Sequence, residues 1–465
     1  MIGSFRSLLV SMKPMTLYAS STRRWSWTFL IRRIVGSLCA GAMLSAVAAC
    51  HGALDVSDPS YITDQAVANA TGANGRRVIA LGYFTYVMNG IRIGALFSDE
   101  LTYDDRLGSY LIPEYEFDKR TSNNIYTSQF TDNDQPLGAL TQYLPYSTLA
   151  IDQVRKYTPD SLKGDFLAQL FAFRGFTILQ TAETICSGFP INDITPDSRP
   201  ILGPPVTTDS ALGTAIVQLD SSLADVKDSA QFQHLAHVAK ARALLDLGQF
   251  DAAAAEVASV PTSFEYRPDS GLSPSPFGTY DAGGGQFQSS YVMSDHEGVN
   301  GLGFVSEHDP RTPFGYSKQR YYVPAESLFV SLKYLYPNTS IVLASGIEAR
   351  LIEAEAALHN GDPNWLVTLN TLRATIGMGA MTDPGTTDER VDSLYHERAF
   401  WLYLTGHRLG DMRRLVKIYG RDPQTIYPIG AHPMGGTYGN ETAIGFNYLF
   451  EGQYNSKISS GCISQ

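Results

Sequence analysis

The stretch 388–417, DERVDSLYHERAFWLYLTGHRLGDMRRLVK, decides how this chain folds. It reads as two helices joined by a turn at Thr405 and Gly406. In the first, Val391, Leu394, Tyr395, Arg398, Leu402 and Tyr403 recur at three- and four-residue steps, which gathers them on one helical face. Gly406 stands where a helix C-terminus needs a residue that tolerates positive φ. In the second helix, Arg408 and Asp411 are three apart and can meet, as can Asp411 and Arg414. Glu397 and Arg398 lie across the turn from that group. An aromatic and aliphatic face with Phe400, Trp401 and Tyr403 thus carries a compact set of opposite charges, and its predicted role is structural.

Glu397-Arg398-Ala399, followed in order by Gly406, Arg408, Asp411 and Arg413 or Arg414, resembles the C-terminal signature of SusD/RagB-like outer-membrane nutrient-binding lipoproteins. That signature runs E-R-A, a hydrophobic stretch, E-G-x-R, two spacers, then D-x-x-R. Thr405 stands where the family has Glu, which removes one carboxylate from the pattern. The resemblance implies a mainly α fold of tetratricopeptide-like helical hairpins in a right-handed superhelix, with a loop-rich inserted lobe. It also implies a non-enzymatic, cell-surface, lipid-anchored protein that captures a nutrient and partners a SusC-like TonB-dependent transporter. Ser98-Asp99-Glu100 resembles an element that follows the family's first helices. The segment 143–157 resembles a family helix, with Asp152 in place of an Asn.

The rest of the chain agrees with a large secreted globule. Of 465 residues, 44% are apolar, enough to bury a sizeable core. The first 49 residues hold six basic residues and no acidic one; beyond them, 29 basic residues face 46 acidic ones, a net charge of −17. A surface that acidic argues against nucleic acid as a partner. Arg23, Arg24, Arg32 and Arg33 precede an apolar run, 34–49, of signal-peptide rather than membrane-spanning length. It ends in Val47-Ala48-Ala49-Cys50, a lipobox pattern whose thiol takes a lipid. The expected organisation is a signal peptide over 1–49, a lipidated tether over 50–59 and one helical domain over 60–465. Cys186 and Cys462 remain as an even pair in an oxidising compartment, and a disulfide between them is expected.

Within the domain, helical packing is expected over 60–96, with Val78 and Ile79 among the inward residues. A long helix over 162–185 carries Leu162, Phe166, Leu170 and Phe173 on one stripe, and Thr208 or Asp209 caps the next. The segments 239–260 and 347–376 each read helix, turn, helix, like tetratricopeptide hairpins. Between them 264–342 is rich in Gly, Pro, Ser and Tyr and too long for a plain connector. A tail, 421–465, is expected to pack back on the helices.

The chemistry legible in the sequence is sparse. His396-Glu397 lacks the second His of a zinc-protease motif, and neither a nucleophile elbow nor a phosphate loop is present. No catalytic residue, metal site or cofactor is expected. Asp99/Glu100 and Asp104/Asp105 place carboxyl pairs in an aromatic neighbourhood, read as solvated turns or calcium ligands rather than a glycosidase pair. Aromatics in the inserted lobe are the better lead, because exposed rings stack on sugar faces. Tyr266, Tyr280, Phe287, Tyr291, Tyr316 and Tyr321 are the ligand-contact candidates. The functional reading is therefore glycan or oligosaccharide binding, against two alternatives: a secreted all-helical glycan-active enzyme, or a tetratricopeptide scaffold for envelope proteins.

Overall fold

The computed structural model describes residues 67–103, 138–185, 188–269, 280–281, 286–287, 291–316, 328–334, 336, 339–432 and 436–439. All of them belong to one compact unit, Asp64–Gln465. Cys50, Cys186 and Cys462 lie outside the described residues, as do Asp104, Asp105 and Tyr321.

The described part is mainly helical. Helix α1, Ala70–Tyr83, starts where the Asn69 side chain accepts the Gly72 N–H. A 3₁₀ turn, Phe84–Tyr86, leads into α2, Val87–Phe97, whose apolar residues are nearly all buried. After strand β1, Leu101–Tyr103, a single π turn, Ala139–Tyr143, opens α3, Leu144–Tyr157. Helix α4, Asp160–Thr184, is buried along most of its length. Contrary to the sequence reading, Val78 and Ile79 face outward, each more than half exposed, and Leu162 is exposed as well. All three belong to apolar patterns that run past the edge of the buried face.

Two short ribbons, β2 (Phe189–Pro190) with β5 (Pro205–Val206) and β3 (Asp193–Ile194) with β4 (Pro200–Ile201), join α4 to α5, Thr208–Asp225. The cap of α5 is Thr207, one residue before the expected positions, and its side chain accepts the Ser210 N–H. Next come α6, Ala230–Asp246, and α7, Phe250–Val257. Beyond the lobe follow α8 (Gly346–His359), α9 (Asn364–Thr375), α10 (Thr387–Trp401), α11 (Arg408–Lys417) and the short α12 (Pro423–Ile426). Thr386 and Glu389 form a capping box at the start of α10.

Each helix packs on the next from α4 through α9; α10 then leans on α8, and α11 returns to touch α2 and α4. The keystone hairpin thus closes the succession of hairpins onto its own beginning. Helices α4 and α5 approach closely at Gly175, where a Cβ would sit 2.5 Å from Leu219 Cγ and 3.0 Å from the Ala215 carbonyl. One core runs through the whole succession. A second, smaller one, with Leu351, Trp365, Leu369, Leu372 and Leu394, fills the space between α8, α9 and α10.

The inserted lobe leaves and rejoins the helices side by side, because β6, Glu265–Tyr266, pairs with β12, Ala344–Ser345. Strand β9, Tyr291–Met293, pairs with β1, and β10, Phe314–Tyr316, pairs with β11, Phe329–Ser331. A further pair, β7 (Tyr280–Asp281) with β8 (Gln286–Phe287), lies between β6 and β9 in sequence. Phe304 is fully buried with its ring 5.1 Å from Phe400 and 4.7 Å from Tyr403, so the lobe is seated on the keystone. The start of the tail is tied to the same lobe, since Asn300 Nδ2 donates to the Gln424 and Tyr427 carbonyls.

Candidate functional site

Two arrangements stand out: a buried charge network around the keystone and an exposed aromatic surface on the lobe. The network begins with Arg398, 1% exposed, whose Nε and Nη2 each donate to Asp411 at 2.8 Å. Arg414 donates to Asp411 at 2.7 Å, to Glu355 at 3.1 Å and to Asp246 at 2.6 Å. The Tyr395 hydroxyl adds a hydrogen bond to Glu355. Burial alone would push the Asp411 carboxyl up, but the charges of Arg398 and Arg414 outweigh it and hold the group below the ordinary range. Glu397 is a separate node, bound by Arg311 and Arg373.

Arg408 does not meet Asp411 as its spacing suggested. It reaches Asp99, with Nε on Oδ1 at 2.6 Å and Nη2 on Oδ2 at 2.8 Å. The turn that carries it explains the change. Helix α10 ends at Trp401, earlier than expected, and both Leu404 (φ 58°) and Gly406 (φ 81°) adopt left-handed backbone. Glu100 holds that turn by accepting the Leu404 N–H at 2.7 Å, while the Tyr403 hydroxyl donates to the Glu100 carbonyl. Gly406 leaves no room for a side chain, since a Cβ would meet Gln180 at 2.7 Å. Thr405, in the place of the signature's Glu, contacts His407 Nδ1 at 2.8 Å, and His407 Nε2 lies 2.9 Å from Glu348. Asp99 and Glu100 are both buried and held by partners. They therefore occupy neither solvated turns nor a glycosidase-like cleft.

The aromatic surface lies on β10 and β11. Tyr316 pairs directly with Phe329 across the ribbon, and their rings are 5.4 Å apart. Phe314, two residues before Tyr316 on the same face, meets Phe329 edge-on at 5.3 Å, and the exposed His308 ring is 5.7 Å from Phe314. The inner rings pack on the core, whereas Tyr316 is 56% exposed. The exposed Tyr316 ring, backed by Phe329 and Phe314, suits the apolar face of a sugar ring.

The sequence matches no protein-family model and no curated protein sequence. Its fold does match solved structures. A SusD-like protein from Bacteroides fragilis NCTC 9343 superposes with a TM-score of 0.57 at 12% identity, over 83% of this chain and 95% of that one. The surface glycan-binding protein A from Bacteroides thetaiotaomicron gives 0.57 at 11% identity, over 82% and 96%. A laminarin-binding SusD-like protein gives 0.53 at 14% identity, over 74% and 91%. This chain has the SusD-like fold.

On that SusD-like frame the other candidates separate. Tyr266 is buried between Phe173 and Phe232, so its ring serves the core. Tyr291 is half-buried, in register with Tyr103 across β1 and β9, and Arg92 lies 5.0 Å over its ring. Tyr280 and Phe287 face each other in the β7–β8 register. His308, Phe314 and Phe329 were not singled out from sequence. The alternation Phe-Gly-Tyr over 314–316, opposite Phe-Val-Ser over 329–331, was the available signal. Among the described residues no cluster of three metal-ligating side chains occurs, and no helix is long and apolar enough to cross a membrane.

Proposed function

We propose that the protein is a cell-surface lipoprotein that binds a glycan or oligosaccharide and delivers it, unaltered, to a SusC-like TonB-dependent transporter in the outer membrane. The observation that carries this reading is the open aromatic row ending at Tyr316 on a SusD-like frame. Solved proteins sharing that frame are described as laminarin-binding and as surface glycan-binding. The burial of Asp99 and Glu100 favours binding over glycoside hydrolysis, which needs two carboxyls flanking an accessible bond. Ligand held between this protein and a transporter would be concentrated at the transporter's mouth.

The test is calorimetric titration of the purified protein with a polysaccharide panel that includes laminarin. At least one polysaccharide is expected to bind with no release of shorter products. Tyr316→Ala should weaken that binding about tenfold, equivalent to roughly 1.4 kcal/mol. Unchanged affinity would remove Tyr316 from the site, and product release would favour an enzyme. The anchor has its own test. Cys50→Ser is expected to abolish metabolic labelling with palmitate and release the protein from membranes. Persistent labelling would place the lipid elsewhere or nowhere.

A further inference from the structure

A cleft of about 260 Å³ is lined by residues from the base of the lobe, the end of α10 and the keystone turn. Its volume equals that of about nine waters, room for one sugar ring and not for a chain. Apolar surface from Ile347, Ile376 and Trp401 alternates with charged groups. Most of those charges are satisfied. Glu265 is paired with Arg267 at 3.0 Å, whereas Glu348 Oε1 and His407 Nε2, 2.9 Å apart, are buried without a hydrogen bond, and burial pushes the His407 imidazole towards its neutral form. The Arg311 guanidinium is divided between Asp309 and Glu397.

Two donors lining the cleft are not satisfied in this way. The Lys333 ammonium gives one hydrogen bond to the Tyr403 carbonyl at 2.8 Å and has no carboxylate partner among the described residues. The Trp401 indole N–H is buried and has no acceptor among them either. Burial pushes Lys333 down to about 8, which leaves it largely cationic at neutral pH. A cation and a neutral N–H left open beside a flat indole call for an acceptor-rich anion attached to a ring.

We propose that this cleft is a binding site for a single carboxylate-bearing sugar ring, a uronate, with the Lys333 ammonium as its counter-ion and Trp401 as donor and stacking surface. The proposal stands independently of the aromatic row at Tyr316, which shares none of these residues.

Trp365→Phe removes the other tryptophan of the region after residue 49, so that Trp401 fluorescence can be followed in the otherwise intact protein. D-glucuronate is expected to change that fluorescence saturably, whereas glucose and acetate, which supply the ring alone and the carboxylate alone, should each bind about tenfold more weakly or not at all. Lys333→Met should weaken glucuronate about tenfold, and Lys333→Arg should retain binding. No saturable response to glucuronate overturns the proposal, even if Lys333→Met fails to fold. Glucose binding as tightly as glucuronate removes the role of the charge. Acetate binding as tightly reduces the site to a simple anion pocket and overturns the sugar assignment.

Discussion

Asp411→Ala is expected to cost about 3–5 kcal/mol of stability, measured as a shift of the urea unfolding midpoint at neutral pH. The carboxylate accepts both forks of Arg398 and one hydrogen bond from Arg414, and all three side chains are almost fully buried. Removing it leaves the Arg398 guanidinium with only Glu355, at 3.6 Å, to balance its charge. Desolvating a cation without a partner costs far more than a surface ion pair supplies. Domains of this kind have about 5–15 kcal/mol in total, so the variant should be close to the edge of folding. Arg408→Ala should behave similarly, because it strands Asp99. Linkage adds a second signature. The folded carboxyl of Asp411 lies below its ordinary 3.8, so its contribution is present above about pH 4 and lost as the pH falls further. A stable Asp411→Ala protein that had merely lost its ligand would place these residues in the binding site instead of the frame.

The second large effect belongs to Glu100. Burial raises its carboxyl from 4.5 to about 8, only partly offset by the Leu404 N–H. Between those two pH values the folded chain holds a proton that the unfolded chain releases, so stability falls as the pH rises through the interval. At about 1.36 kcal/mol per pH unit, the accumulated loss is on the order of 5 kcal/mol. Glu100→Gln keeps an acceptor for Leu404 and has no proton to lose. The difference between wild type and variant should therefore shift steadily towards the variant from pH 5 to pH 8. Lys333 contributes a slope of opposite sign above about pH 8, where its lowered value departs from the ordinary 10.5, so the comparison ends there. A difference that stays constant across that interval would mean Glu100 is ionised in the folded protein throughout.

The frame was far more legible than the site. Helical spacing placed α4, α6 to α9 and the keystone helices because a buried helix face writes its period into the sequence. Val78, Ile79 and Leu162 misled for the converse reason, since an apolar residue can sit at helical spacing yet lie beyond the edge of what covers it. The partners of the signature charges were only partly readable: Asp411 and Arg414 meet as their spacing suggests, at 2.7 Å. Arg408 has Asp411 three residues away but binds Asp99, because the left-handed backbone at Leu404 and Gly406 re-aims α11. The binding surface was only half visible. Tyr316 was named for its place in an aromatic lobe, but Phe314 and Phe329 emerge only once β10 and β11 are paired. The cleft at Lys333 left no signal at all, because its lining comes from six separate stretches of chain.

The Asp99–Arg408 pair joins positions 309 residues apart, and Glu100 grips a turn 304 residues away. During synthesis the first helices emerge long before the residues that lock them. Until Arg408 and Arg414 are available, Asp99 and Asp246 lack their arginine partners and Glu355 lacks one of its own, and a folded frame would have to bury them with too few counter-charges. The first helices therefore cannot complete this charge network by themselves, since contacts of such sequence separation need both ends of the chain. A frame locked by its last hairpin takes its final form only once nearly the whole chain is present.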